Sequence, residues 1–146
     1  MFNLHPQLDK DCILIGQFKL CQLLLMNDAN YPWFILVPAR ENISEIYQLS
    51  DEDQKQLLSE STFLSQKLMQ VFSGDKMNIA ALGNVVPQLH VHHVVRYKTD
   101  PTWPAPVWGK LAAIAYDELQ LNEIMEKLQV LKGGGINFSE DQFKSS

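Results

Sequence analysis

Residues Gln88 to Arg96 read Gln88-Leu89-His90-Val91-His92-His93-Val94-Val95-Arg96, which places His90, His92 and His93 in one apolar, β-branched run of a chain with 4 histidines in all. Side chains alternate along a strand, so His90 and His92 share a face roughly 6 to 7 Å apart, and His93 looks the other way into packing or an interface. Two imidazoles on one surface can attack, donate a proton or hold an anion near neutral pH, which few other side chains do without large pKa shifts.

Three chemistries compete for such a cluster, beside the ordinary alternative of bystanders on a half-exposed strand, a fate ionisable groups seldom share when they crowd. A metal site wants three or four ligands, and no Glu stands between Glu60 and Glu118 while Asp75, Asp100 and His5 are poorly placed, so no metal and no cofactor is expected. A Ser or Cys triad lacks its context: there is no GxSxG elbow, and Cys12 and Cys21 read as core thiols in a reducing compartment. The third chemistry makes a histidine the nucleophile. A neutral imidazole whose inner nitrogen donates to a backbone carbonyl presents its outer lone pair to phosphorus, forming a phosphoramidate that water later breaks. The neighbouring His would bind phosphate oxygens or protonate the leaving group, and positioning with electrostatics supplies the rest.

The elements that must carry these residues fit one domain of α+β class. The chain has 146 residues, 46% hydrophobic and 20% charged, enough to bury a core of its own. A net charge of -5 without clustered Lys and Arg argues against nucleic acid as a partner but leaves room for a small phosphorylated ligand. The apolar runs Leu23 to Met26 and Phe34 to Pro38 are too short for a membrane span, and Met1 to His5 lacks a signal peptide's pattern, so a cytoplasmic protein is expected.

Strands are predicted over Ile13 to Ile15, Phe18 to Leu20 and Cys21 to Met26, broken near Gly16, and over Trp33 to Val37, with the turn formers of 27–32 making a hairpin. Ser50 caps a helix with Asp51, Glu52 and Asp53 in its first turn and a stripe of Leu57, Leu64, Leu68 and Val71, ended by Gly74. Met77 to Leu82 and Leu89 to Tyr97 follow as antiparallel strands around the loop 83–87, then a Pro- and Trp-rich stretch with Trp103 and Trp108. Asp117 opens a last helix to about residue 132, carrying Leu121, Ile124, Leu128 and Leu131, and 133–146 reads as a loose tail behind a single domain over 1–132.

The stretch Gln88-Leu89-His90-Val91-His92-His93-Val94 resembles the signature of the histidine triad (HIT) superfamily, His-x-His-x-His followed by apolar residues, with Gln88 where the first histidine normally stands. The order of the other segments agrees, from Leu25-Met26-Asn27-Asp28 through Trp33 to Pro38 and the long helix, so the likeness covers roughly Cys12 to Trp108. It implies a five-stranded antiparallel sheet with two main helices, the sheet extended across a homodimer. It also implies a nucleotide hydrolase or transferase acting at an α-phosphate through a nucleotidyl-His90 intermediate, on a dinucleoside polyphosphate or nucleoside phosphoramidate. By the same likeness His92 contacts the phosphate, Asn27 and Asp28 bind ribose, and Asn84 reaches the phosphate. Gln88 departs from the pattern and cannot titrate, though its amide can still hydrogen-bond to the nucleotide. Trp33 departs too, standing where many members carry a histidine.

Trp103 and Trp108 are expected to pack the proline-stiffened stretch onto the sheet or to stack on a base. Arg96 is a strand-end arginine with no assigned ligand. The rival reading from another class is a non-catalytic nucleotide-binding or regulatory protein on the same fold, with Gln88 and Trp33 marking lost turnover.

Overall fold

Residues 1–140 are described in the structure, a computed structural model. A short helix α1 (Pro6–Asp11) leads into strands β1 (Cys12–Gln17), β2 (Cys21–Met26) and β3 (Trp33–Pro38); the long helix α2 (Asp51–Phe72) follows, then β4 (Lys76–Ala80), β5 (Val91–Arg96), α3 (Glu118–Lys127) and β6 (Asn137–Phe138). The strands form one sheet in the order β4-β5-β3-β2-β1-β6, every pairing antiparallel. All six residues of β3 and of β5 are buried, as inner strands covered on both faces require.

The alternation expected of β5 is seen in how the two faces pack. Val91 and Val95 join Leu23, Leu25, Phe34 and Leu36 under α2 and under α3 with the 3-10 turn Leu128–Leu131 that prolongs it. Val94 lies on the other face with Leu24, Trp33, Ile35 and Val37, covered by Leu8, Tyr31, Val86 and Val107. His90 and His92 belong to this second face and His93 to the first.

The Ser50 hydroxyl accepts the Asp53 N–H at 3.1 Å and starts α2 as expected, with three acidic residues against the positive end of the helix dipole. Its end differs from expectation: Ser73, at φ 51, is the left-handed residue. Gly74 is needed for a different reason, since a Cβ there would lie 2.4 Å from Val95 Cγ1.

The sheet has six strands, where the resemblance implied five. The sixth comes from the segment expected to be a loose tail: Phe138 and Asn137 pair with Gly16 and Gln17 of β1. A side chain at position 16 would block this, because its Cβ would meet the Asn137 carbonyl oxygen at 2.6 Å. Gly16 therefore does not break β1; it sits beside a register shift between Leu14 and Gly16 and admits β6. The rest of the expected tail, 141–146, lies outside the described residues. Phe18 to Leu20 is likewise no strand but the turn joining β1 to β2, tied to α2 by Glu60, whose carboxylate accepts the Leu20 and Cys21 N–H groups at 2.9 Å each. Helix α1 had no counterpart among the expected elements, and it turns out to wall the site.

Candidate active site

Neighbouring strands set the histidines. His92 on β5 stands opposite Ile35 and Val94 opposite Trp33, so Trp33 and His92 are diagonal neighbours on one face. His90 lies just before β5, and its ring reaches His92 with centroids 4.9 Å apart at 73°. His90 Nδ1 lies 2.7 Å from the carbonyl oxygen of Gln88. A carbonyl only accepts, so Nδ1 carries a proton, and in the neutral ring Nε2 is the nitrogen with the lone pair. That is the form a nucleophilic imidazole needs.

Both rings border a cavity of about 330 Å³. Its walls are largely apolar, from Leu8, Met26, Trp33, Val86 and Trp108, with polar groups from Gln7, Asp11 and Asn84. An apolar cleft with few convergent polar groups is the usual form of a small-molecule site. His92 is buried between Trp33, Trp108 and His90; its ring centroid lies 5.7 Å from that of Trp33 and 5.1 Å from that of Trp108. Burial, and then the charges His90 and His93 would carry, push its pKa down to about 3. His92 is thus neutral at physiological pH.

His90, His92 and Asn84 are brought together at this cavity; the other sequence candidates lie elsewhere. The Gln88 side chain is spent on the N-terminal segment, its Oε1 accepting the His5 N–H and its Nε2 donating to the Asn3 carbonyl, both at 2.8 Å. Asn27 Oδ1 accepts the Tyr116 N–H at 2.9 Å, and Asp28 Oδ1 accepts from the Asn30 backbone and side chain and from the Ile114 N–H. Both residues tie the 112–116 segment to the turn, and neither borders the cavity.

Gln7, Leu8 and Asp11 are site residues the sequence did not yield, while Trp108, expected to pack on the sheet or stack on a base, borders the cavity. A signal for α1 existed in Pro6 at a first helical position with Leu4 and Leu8 four apart. Nothing local placed that helix over the histidines. Trp108 packs edge-on against Trp33 as well, centroids 5.8 Å apart. Trp103 instead stacks on Arg96, which Tyr31 covers from another side. Arg96 is 1% exposed and paired with Asp100 at 2.8 Å, so it organises the turn after β5 and not the cavity.

His93 packs beneath α2, where its Nδ1 donates to the Val91 carbonyl at 3.0 Å and its Nε2 accepts the Ser61 hydroxyl at 2.7 Å. Burial raises the pKa of both thiols, Cys12 to about 12, which removes them as nucleophiles. Among the described residues no three His, Cys, Asp or Glu side chains converge as a metal site would need, and no helix is long and apolar enough to cross a membrane.

An antiparallel sheet here carries paired histidines over an apolar cleft in a protein of α+β class. The HIT domain family matches residues 7–99, and this chain belongs to that family, whose members are usually nucleotide hydrolases or transferases. It is similar to the crystal structure of a histidine triad protein from Marinobacter aquaeolei VT8, with 52% identity and a TM-score of 0.90 over 92% of this chain and 98% of that one. A histidine triad protein from Bradyrhizobium japonicum shares 43% identity and one from Sinorhizobium meliloti 1021 shares 41%, each with a TM-score of 0.86 over 88% of this chain and 96% of theirs. A comparison with curated proteins gave no match.

Proposed function

We propose that this protein hydrolyses or transfers a nucleotidyl group, with His90 Nε2 attacking the α-phosphorus of a bound nucleotide. The observation that carries the proposal is the 2.7 Å contact of His90 Nδ1 with the Gln88 carbonyl, which in the neutral ring leaves the lone pair on the outer nitrogen, with the ring bordering the cavity. As the bond to phosphorus forms, the bond from phosphorus to the leaving group breaks and its electron pair departs with that group. The ring becomes cationic, and the Gln88 carbonyl stabilises the N–H that it already holds. Water then attacks phosphorus, the P–N bond returns its electrons to Nε2, and the water proton passes to solvent.

In this reading His92 donates its Nε2–H to a phosphate oxygen, the Asn84 amide adds a second donor, and the apolar walls hold the base. Asn27 and Asp28 act through the 112–116 segment, since their Oδ1 atoms are committed there, and Gln88 acts through its backbone carbonyl and its grip on the N-terminal segment. A homodimer would form along β4, which is an outer strand of the sheet with Ile79 half exposed.

The test is to quench the protein during turnover and analyse it by mass spectrometry. A nucleoside monophosphate adduct on the peptide containing His90 is expected, absent from His90→Ala. Unchanged hydrolysis by a folded His90→Ala protein would sink the proposal.

A further inference from the structure

The indole nitrogen of Trp33 stands 2.9 Å from Nδ1 of His92, with both residues buried. An indole N–H can only donate, so Nδ1 of His92 must be the bare nitrogen and its proton must sit on Nε2. We propose that Trp33 is a positioning residue that locks His92 as the neutral Nε2–H tautomer, and that this lock confines the site to substrates whose leaving group departs as an anion, phosphoanhydrides and not alkylamine phosphoramidates. The inference deepens the hydrolase reading above, and its substrate half rests on that reading.

Charging His92 requires a proton on Nδ1, where the Trp33 N–H already points. The two hydrogens would oppose each other, the bond would break, and a buried indole N–H would lose its acceptor. The other groups facing the ring do not favour a charge strongly enough to offset this. His90 precedes it on the same face and His93 lies behind it on β5; Trp108 covers it from the segment after β5; Asn84 comes from the loop before the motif. From α1, Asp11 borders the cavity, but its carboxylate accepts the Gln7 side-chain N–H at 2.7 Å. His92 is consequently a hydrogen-bond donor to phosphate and not a general acid.

The consequence lies in the balance of the first step. When His90 Nε2 bonds to phosphorus, the electron pair of the breaking bond must go to the bridging atom. A bridging oxygen on a second phosphoryl group spreads that pair over a phosphate anion and needs no proton. A bridging alkylamine nitrogen would leave as a strongly basic anion unless it were protonated first. His90 keeps its proton on Nδ1 against the Gln88 carbonyl; His92 would become an imidazolate by giving up its own; Gln88 has no acidic proton, and its amide is held by Asn3 and His5. Among the described residues, neither histidine nor Gln88 supplies what the amine needs, and the Asp11 carboxylate is held by the Gln7 amide.

Two measurements separate the lock from the reading it rests on. Proton–nitrogen NMR of the histidine rings in the wild-type protein should show His92 with a bare Nδ1 and a protonated Nε2, unchanged from about pH 8 to about pH 5. Trp33→Phe, which keeps a ring and removes the donor, should leave the buried ring neutral but let its proton distribute between Nδ1 and Nε2 within that window. A wild-type His92 that carries its proton on Nδ1, or titrates near the ordinary histidine value, overturns the lock without needing any variant to fold. Initial rates should then favour diadenosine tetraphosphate over an adenosine 5′-N-alkylphosphoramidate by at least about 100-fold, with the guanosine pair run alongside; this corresponds to two decades of transition-state discrimination. Equal rates overturn the substrate restriction. No turnover of any of the four, with His92 found in the expected tautomer, overturns the hydrolase reading and the substrate half together and supports the lock.

Discussion

Gln88 and His5 are separated by most of the chain, yet the Gln88 side-chain oxygen accepts the His5 backbone N–H at 2.8 Å. With the Nε2 contact to Asn3, the amide completes a two-bond clamp of the kind one strand makes on another. Gln88 thus holds a wall of the cavity in place. His5 continues the link, since its Nδ1 accepts the Gln7 N–H at the start of α1, which carries Leu8 and Asp11 to the site.

Replacing Gln88 with Ala should loosen residues 3–11 and not the chemistry. Each lost hydrogen bond is worth about 1 kcal/mol. KM should therefore rise about tenfold while kcat changes little, and amide exchange of the N-terminal segment should accelerate. A collapse of kcat with KM unchanged would show that the Gln88 side chain acts on the reacting atoms.

His92→Ala should lower kcat by about 10² to 10³, the usual loss on removing one preorganised donor from a developing negative charge. His90→Ala should remove activity altogether. Steady-state rates of the two variants, with circular dichroism to establish folding, check the ranking; an equal loss in both would show that His92 is more than a donor.

Stability should fall on acidification from about pH 6.5 to about pH 4. Burial holds His92 down to about 3, with the charges of His90 and His93 adding to it, and holds His93 to about 4 against the Val91 carbonyl bond that works the other way. Below the ordinary histidine value the unfolded chain binds protons that the folded one refuses, so each group lowers the unfolding free energy by up to about 1.4 kcal/mol per pH unit. Thermal melts across this range should show a shallower slope in His93→Gln than in the wild type. Parallel slopes would show that His93 is solvated or charged in the folded protein.

Arg96→Met should cost about 3 to 5 kcal/mol, because it strands the buried Asp100 carboxylate. The pair is 1% and 3% exposed, and Arg96 also donates to Asn78 at 2.9 Å. Burial works to raise the Asp100 pKa, but the Arg96 hydrogen bond and the Tyr97 and Thr102 amides outweigh it and leave the pKa below the usual carboxylate value. A depressed carboxyl stabilises the fold above its unfolded pKa and loses that contribution as pH falls through the folded one. Urea titration of Arg96→Met and of the double variant with Asp100→Leu should recover part of the loss in the double; no recovery would show that the cost lies in packing against Tyr31 and Trp103.

Period-two alternation was enough to place His90 and His92 on one face and His93 on the other, because side-chain direction along a strand is set by local backbone geometry alone. The same local logic gave the Ser50 cap, the Asp117 start of α3 and the Leu57, Leu64 and Leu68 part of the α2 stripe, though Val71 stays outside the core, and the ordered motifs carried the family. What the chain could not show in one dimension were the partners. The oxygens of Asn27 and Asp28 are taken by backbone N–H groups near residue 115, the Gln88 amide by residues 3 and 5, and Nδ1 of His92 by an indole on another strand. Hydrogen-bond capacity is written in the residue type, but who satisfies it, and so which nitrogen of a histidine is free to react, is decided only when distant segments are packed together.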